Sequence, residues 1–150
     1  MSRARAITTR LESIVEALTP ETPLSAPRFK YVSGATTGNM QLRQFAISST
    51  GDVQWFDEYP QDMPGSQVRE GFEIIVSYGA SHPDRNIRDV IREDVLAIQQ
   101  AILRPDNWDE DTTASDLREV GGFSVEFTAI NEQQAGLEVT IPVTVRYRPY

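Results

Sequence analysis

Apolar residues recur at two periods along the chain, and the change of period marks out its elements. Ile7, Leu11, Ile14, Val15 and Leu18 follow one another at helical spacings and form a single stripe. They predict a helix over residues 3–18, with Ser2 placed to cap it and Pro20 placed to stop it. A second stripe, Ile87, Val90, Ile91, Val95, Ile98 and Ile102, predicts a helix reaching about Leu103, just before Pro105. Residues 79–85 turn the chain into it, with Ser81 or Asp84 as cap and Pro83 near the start, where proline is tolerated. Arg88, Asp89, Arg92, Glu93 and Asp94 are assigned to its wet side. Asp89 and Glu93 repel at i,i+4, as do Arg88 and Arg92, so packing must hold this helix rather than surface charge pairs.

Elsewhere the period is two. Residues 41–48 and 53–56 read as the arms of a hairpin, with Ser49-Thr50-Gly51-Asp52 as its turn. In 68–78, Phe72, Ile74, Val76 and Tyr78 share a face while Ile75 is apolar on the other, which suggests a central strand. Two strands then close the chain. The first alternates at Phe123, Val125, Phe127 and Ala129. The second runs Leu137, Val139, Ile141, Val143, Val145, Tyr147, and a slip of one residue would wet the whole set. Pro142 lacks an amide hydrogen, so this strand is expected at an edge or with a bulge. Long loops fill about 19–40, 57–67 and 104–116, with a short strand at Phe29 and Tyr31 inside the first and with 57–67 alternatively the tip of a longer hairpin. The chain therefore reads as one α+β domain over 1–150: an antiparallel or mixed β-sheet with two helices packed on one face, a two-layer sandwich.

Composition narrows the chemistry. At 150 residues with 39% hydrophobic and 24% charged positions, the chain can bury a full core without staples, and it has no cysteine to make one. Fourteen basic residues against 22 acidic ones leave a net charge of −8, against the basic face of a general nucleic-acid binder. Without cysteine, thiol catalysis and cysteine zinc sites fall away, and the one histidine, His82, lies in a turn beside Ser81 and Asp84, where sequence neighbours seldom form a triad. The segment Gly34-Ala35-Thr36-Thr37-Gly38 lacks the lysine of a phosphate loop. The acidic run Asp106, Asp109, Glu110, Asp111, Asp116 lacks the spacing of a calcium loop. Counted from Asn107, the sixth and twelfth positions are Thr112 and Arg118, where that loop needs glycine and glutamate. No catalytic, cofactor or metal site is expected. No apolar run is long enough to span a membrane, and the amino terminus lacks a signal peptide's apolar core, so a cytosolic chain or part of an assembly built there is expected. Thirteen of the fourteen basic residues are arginine, which reflects coding bias in a GC-rich genome or suits planar ion pairs between subunits. Trp55, Phe56, Tyr59 and Trp108 are expected to be exposed.

The arrangement then calls up a family. The first helix carries Ala6-Ile7-Thr8-Thr9-Arg10-Leu11-Glu12-Ser13-Ile14-Val15 and leads into a proline-rich loop. Gly71-Phe72-Glu73-Ile74-Ile75-Val76-Ser77-Tyr78 runs toward the helix with Ile87-Arg88-Asp89-Val90-Ile91-Arg92-Glu93-Asp94-Val95, and Leu137–Tyr147 closes the chain. In pattern and length this resembles the tail terminator, or tail-completion, proteins of tailed bacteriophages. The resemblance implies an α+β sandwich closing into a hexameric ring that caps the tail tube at its head-proximal end and meets the head connector. It implies no reaction and no cofactor. Its partners would be further copies, the tail tube protein and head-connector or neck proteins, within a virion assembled in the host cytoplasm. The length of 19–40 also fits a contractile-tail terminator or another neck protein. Six copies would multiply the charge of −8 sixfold, so DNA would slide through the lumen rather than bind. The expected contact residues are Arg3, Arg5, Arg10, Phe29, Tyr31, Trp55, Phe56, Tyr59, Met63, Thr140, Pro142, Thr144 and Arg146. Alternatives are a head-closure or tail-tube subunit, or a non-viral α+β binding or regulatory domain.

Overall fold

The computed structural model describes residues 3–33, 41–56, 67–80, 87–108, 113–129 and 135–148, with backbone only at 56, 80, 113–117, 127–129 and 135. The chain runs α1 (Ala4–Glu16), β1 (Lys30–Tyr31), β2 (Gln44–Phe56), β3 (Gln67–Ala80) and α2 (Ile87–Leu103). A turn of 3-10 helix (Pro105–Asn107) leads to β4 (Thr113–Val120), β5 (Ser124–Ala129) and β6 (Ala135–Tyr147). The sheet order is β1-β2-β3-β6-β4, with β5 also on β6. β1 runs parallel to β2 and every other pairing is antiparallel, which makes a mixed sheet in an α+β fold.

The alternation read from the sequence fixes the buried face. Val68, Phe72, Ile74 and Val76 on β3 stand opposite Tyr147, Val143, Ile141 and Val139 on β6. Phe45 and Ile47 on β2 extend the rows beyond Val76 and Ile74. These side chains, with Ile47 partly buried against them, join Ile7, Leu11, Ile14 and Val15 of α1 and Ile91, Val95, Ile98 and Ile102 of α2 in one core cluster. Each large side chain so buried contributes roughly 1.5–3 kcal/mol before entropy is counted. Residues 68–78 do form a central strand, between β2 and β6.

Three expectations are overturned. The hairpin turn at 49–52 is instead a bulge within β2, whose partner is β3. The register passes from Ser49↔Phe72 to Val53↔Glu70. The polar residues of 49–52 satisfy the bulge itself: Gly51 takes φ 78°, and the amides of Gly51 and Asp52 donate to Ser49 Oγ and Thr50 Oγ1. Thr50 Oγ1 in turn donates to the Gly71 carbonyl, and a Cβ on Gly71 would stand 2.7 Å from Thr50 Oγ1.

β6 is not an edge. It lies between β3 and the pair β4 and β5, which divide its other side between them. Pro142 is tolerated because its carbonyl accepts from the Gly121 amide at 3.0 Å. The nitrogen and carbonyl of a strand residue point to the same edge, so the missing N–H faces the crossing from β4 to β5 rather than the β3 ladder.

The third correction concerns the acidic loop. Part of it is β4, so three strands rather than two close the chain. Trp108, expected to be exposed, is buried; its Nε1 donates to the Ile102 carbonyl at 2.7 Å, while Asn107 Nδ2 donates to the Ala101 carbonyl. Both satisfy carbonyls that the end of α2 would otherwise leave open. The caps named for α2, Ser81 and Asp84, and the cap Ser2 lie outside the described residues. At α1 the capping position is Arg3, without a side-chain cap.

Candidate interaction surfaces and a buried arginine clamp

The densest polar constellation centres on Arg43, just before β2. Its φ of 58° is a left-handed conformation that a non-glycine residue adopts at a cost of about 1–3 kcal/mol. The turn lets its amide donate to the Ser77 carbonyl on β3 while its own carbonyl accepts from the Lys30 amide on β1. The guanidinium is fully buried and ties α2 to the segment between α1 and β1. Nε and Nη2 donate to Asp94 Oδ2 and Oδ1 on α2 at 2.9 and 3.0 Å. Nη1 donates to the carbonyls of Pro23 and Ala26, both at 2.8 Å. The Phe29 ring lies beneath the cation, 5.7 Å from Cζ.

Tyr78 completes the group by donating to Asp94 Oδ2 at 2.7 Å. Burial pushes the Asp94 carboxyl above its ordinary 3.8, and the hydrogen bonds from Arg43 and Tyr78 pull it back. Burial, with the Asp94 charge behind it, drives the Tyr78 hydroxyl well above its ordinary range. Four guanidinium hydrogens and both carboxylate oxygens are committed to protein partners, so the group holds the fold together. In particular it anchors the proline-rich segment after α1, and Thr22 Oγ1 adds a bond to Glu93 Oε2 on α2. Asp94 therefore leaves the wet side of α2 to which its charge assigned it.

The expected contact residues scatter over several surfaces. Phe29 is 3% exposed and belongs to the core and clamp, so it is withdrawn as a contact residue. Tyr31 is half-buried, edge-on to Phe45 with ring centres 5.6 Å apart. On α1, Arg5 is exposed and Arg3 half-buried. Arg10 lines an open groove of about 530 Å³ between α1 and α2, with Ile14, Leu18, Ala97 and Arg104. Thr140, Pro142, Thr144 and Arg146 are half-buried on the sheet face that points away from the core. There they form a polar patch: Arg146 Nε donates to Gln67 Oε1 at 2.6 Å, and Arg69 pairs with Glu119 at 2.7 Å. The Phe56 side chain, Tyr59, Met63 and His82 lie outside the described residues.

Trp55 is exposed, as expected, at 56%, and Val53 beside it at 44%. Opposite Val68 and Glu70, both stand on the core-side face of the sheet, at the end of β2 away from β1. β1 covers β2 only at Gln44 and Phe45, so among the described residues the outer edge of β2 from Ala46 onward carries no strand. At the far side of the sheet, β5 pairs among the described residues only with β6, and Val125 on its core-side face is 42% exposed. Sequence patterning marked Trp55 but not these edges, since strand order is invisible to it.

Among the described residues no group of histidine, cysteine, aspartate or glutamate is placed to hold a metal ion, and no helix is long and apolar enough to cross a membrane. No family model matches the chain, and no curated protein sequence matches it.

Proposed function

We propose that this chain is a structural subunit of a tailed-bacteriophage neck, a tail terminator that closes into a ring on the head-proximal end of the tail tube and presents a surface to the head connector. The observation that carries the reading is the outer edge of β2, with Trp55 and Val53 exposed on it. An exposed tryptophan on an uncovered strand is costly for a solitary protein and useful to one that associates. The Arg43 clamp supports the same reading, because it holds the proline-rich segment firmly on the body. The net charge of −8 suits a passage through which DNA slides. The test is to add the protein to polymerising tail-tube subunits and measure tube lengths by electron microscopy. A terminator shortens the tubes in proportion to its concentration and sits at one end; unchanged lengths and bare ends contradict the reading.

A further inference from the structure

We infer that the groove between α1 and α2 is a docking site for an acidic amphipathic helix of a partner protein, with Arg10 and Arg104 receiving its carboxylates and the groove floor its apolar side chains. The inference stands apart from the ring reading. Geometry is the first ground. At the end of α1, Glu16 Oε1 accepts from the Tyr31 amide of β1, and Arg43, just before the adjoining β2, is bonded to Asp94 in the first half of α2. Thr22, beyond the end of α1, reaches Glu93 in the same half. The two helices therefore run antiparallel, and Arg10 stands toward the end of α2 that carries Arg104. The walls hold Ser13 and Ala17 on α1 and Ala97 and Ala101 on α2, side chains too small to close the gap, which stays open over about 530 Å³. Its floor is apolar: Ile14 and Ala101 are buried and Leu18 is half-buried.

Charge is the second ground. Among the described residues the ion pairs are Arg43 with Asp94, Arg69 with Glu119 and Arg92 with Asp89, and neither Arg10 nor Arg104 joins one. Asp106 also lines the groove, and it pairs with neither arginine. In a chain of 22 acids and 14 bases, a groove lined by two arginines and one aspartate carries the opposite sign to the whole. Nor is the Arg104 guanidinium needed at the end of α2. The carbonyls of Gln100, Ala101, Ile102 and Arg104 accept from the Arg104 amide, Asn107 Nδ2, Trp108 Nε1 and the Asn107 amide. A planar guanidinium pairs two-pronged with a carboxylate. A helix that lays apolar side chains into the groove and carries acids beside them uses both features at once. A nucleic-acid backbone would use the arginines and leave the floor empty, and the net charge of −8 repels it.

The probe is a fluorescein-labelled helical peptide of about 15 residues, with leucine along one face and glutamate beside it, followed by anisotropy. It should bind, and more weakly as salt is raised. The same peptide with lysine in place of glutamate should not bind. Arg10→Glu and Arg104→Glu should each weaken binding about tenfold or more, and Ala17→Trp should block it by filling the groove while both arginines remain. Arg104 and Ala17 are exposed and Arg10 is half-buried, so the circular dichroism spectra and melting temperatures should hold. Failure of the acidic peptide to bind, equal binding of the two peptides, or undiminished binding by the arginine variants would overturn the docking site. A labelled DNA duplex that displaces the acidic peptide would overturn it in favour of a phosphate site. If Arg10→Glu with Arg104→Glu lowers the molar mass of the protein itself, the groove joins copies and the partner helix is overturned. A chain that stays single yet binds the acidic peptide would contradict the ring and support the groove.

Discussion

Removing the Asp94 carboxylate leaves the Arg43 guanidinium buried with its charge uncompensated, so Asp94→Ala should cost about 3–5 kcal/mol in urea unfolding. Replacing both partners, as Arg43→Met with Asp94→Leu, should recover most of that loss, because paired hydrophobic substitution removes the unpaired charge. A loss from Asp94→Ala below about 1 kcal/mol would put the pair in the range of a surface ion pair and contradict the clamp. Half of this clamp was legible in the sequence. Asp94 lies four residues after Val90, three after Ile91 and four before Ile98, squarely on the apolar stripe. Its charge sent it to the wet side when its spacing said otherwise. The other half was not legible, because Arg43 lies 51 residues away and only the tertiary fold brings it over α2. A buried acid on a stripe predicts that some cation covers it, without saying which.

At the scale of elements, periodicity gave faces reliably and neighbours poorly. The alternation of β6 told which side chains are buried, and the structure agrees from Val139 to Tyr147. It said nothing of strand order, and Pro142 pointed to an edge because one missing donor cannot reveal on which side it is missing. The structure answers through Gly121, where a Cβ would stand 2.8 Å from Pro142 Cγ. Gly121→Ala should therefore cost about 1–3 kcal/mol by overpacking in thermal or urea unfolding. Pro142→Ala removes the ring that it strikes, and the two changes together should cost clearly less than their sum. Simple additivity would mean that the crossing from β4 to β5 relaxes freely around Pro142. β4 escaped notice for a related reason: Thr113-Ala114-Ser115-Asp116-Leu117-Arg118-Glu119-Val120 has no run of alternating apolar residues, and it forms by pairing with a strand already in place. The 49–52 segment failed in the opposite way, since serine, threonine, glycine and aspartate serve a bulge as well as a turn.

For the whole molecule, apolar side chains from helices and sheet share one core, and others stay exposed at the margins of the sheet. The core cluster draws in the helices and one sheet face, and the clamp ties down the segment between α1 and β1. What stays exposed and apolar includes Val53 and Trp55 at one margin of the sheet and Phe123 and Val125 at the other. The proposed ring needs two different patches on each copy, since repeated head-to-tail contact closes a ring or runs on as a filament. The most direct measurement is the molar mass in solution, by light scattering behind a sizing column over a wide concentration range, alone and with tube protein. A discrete species of six times the 16.8 kDa chain is the predicted result. A mass of one chain at every concentration, unaltered by tube protein, would contradict it.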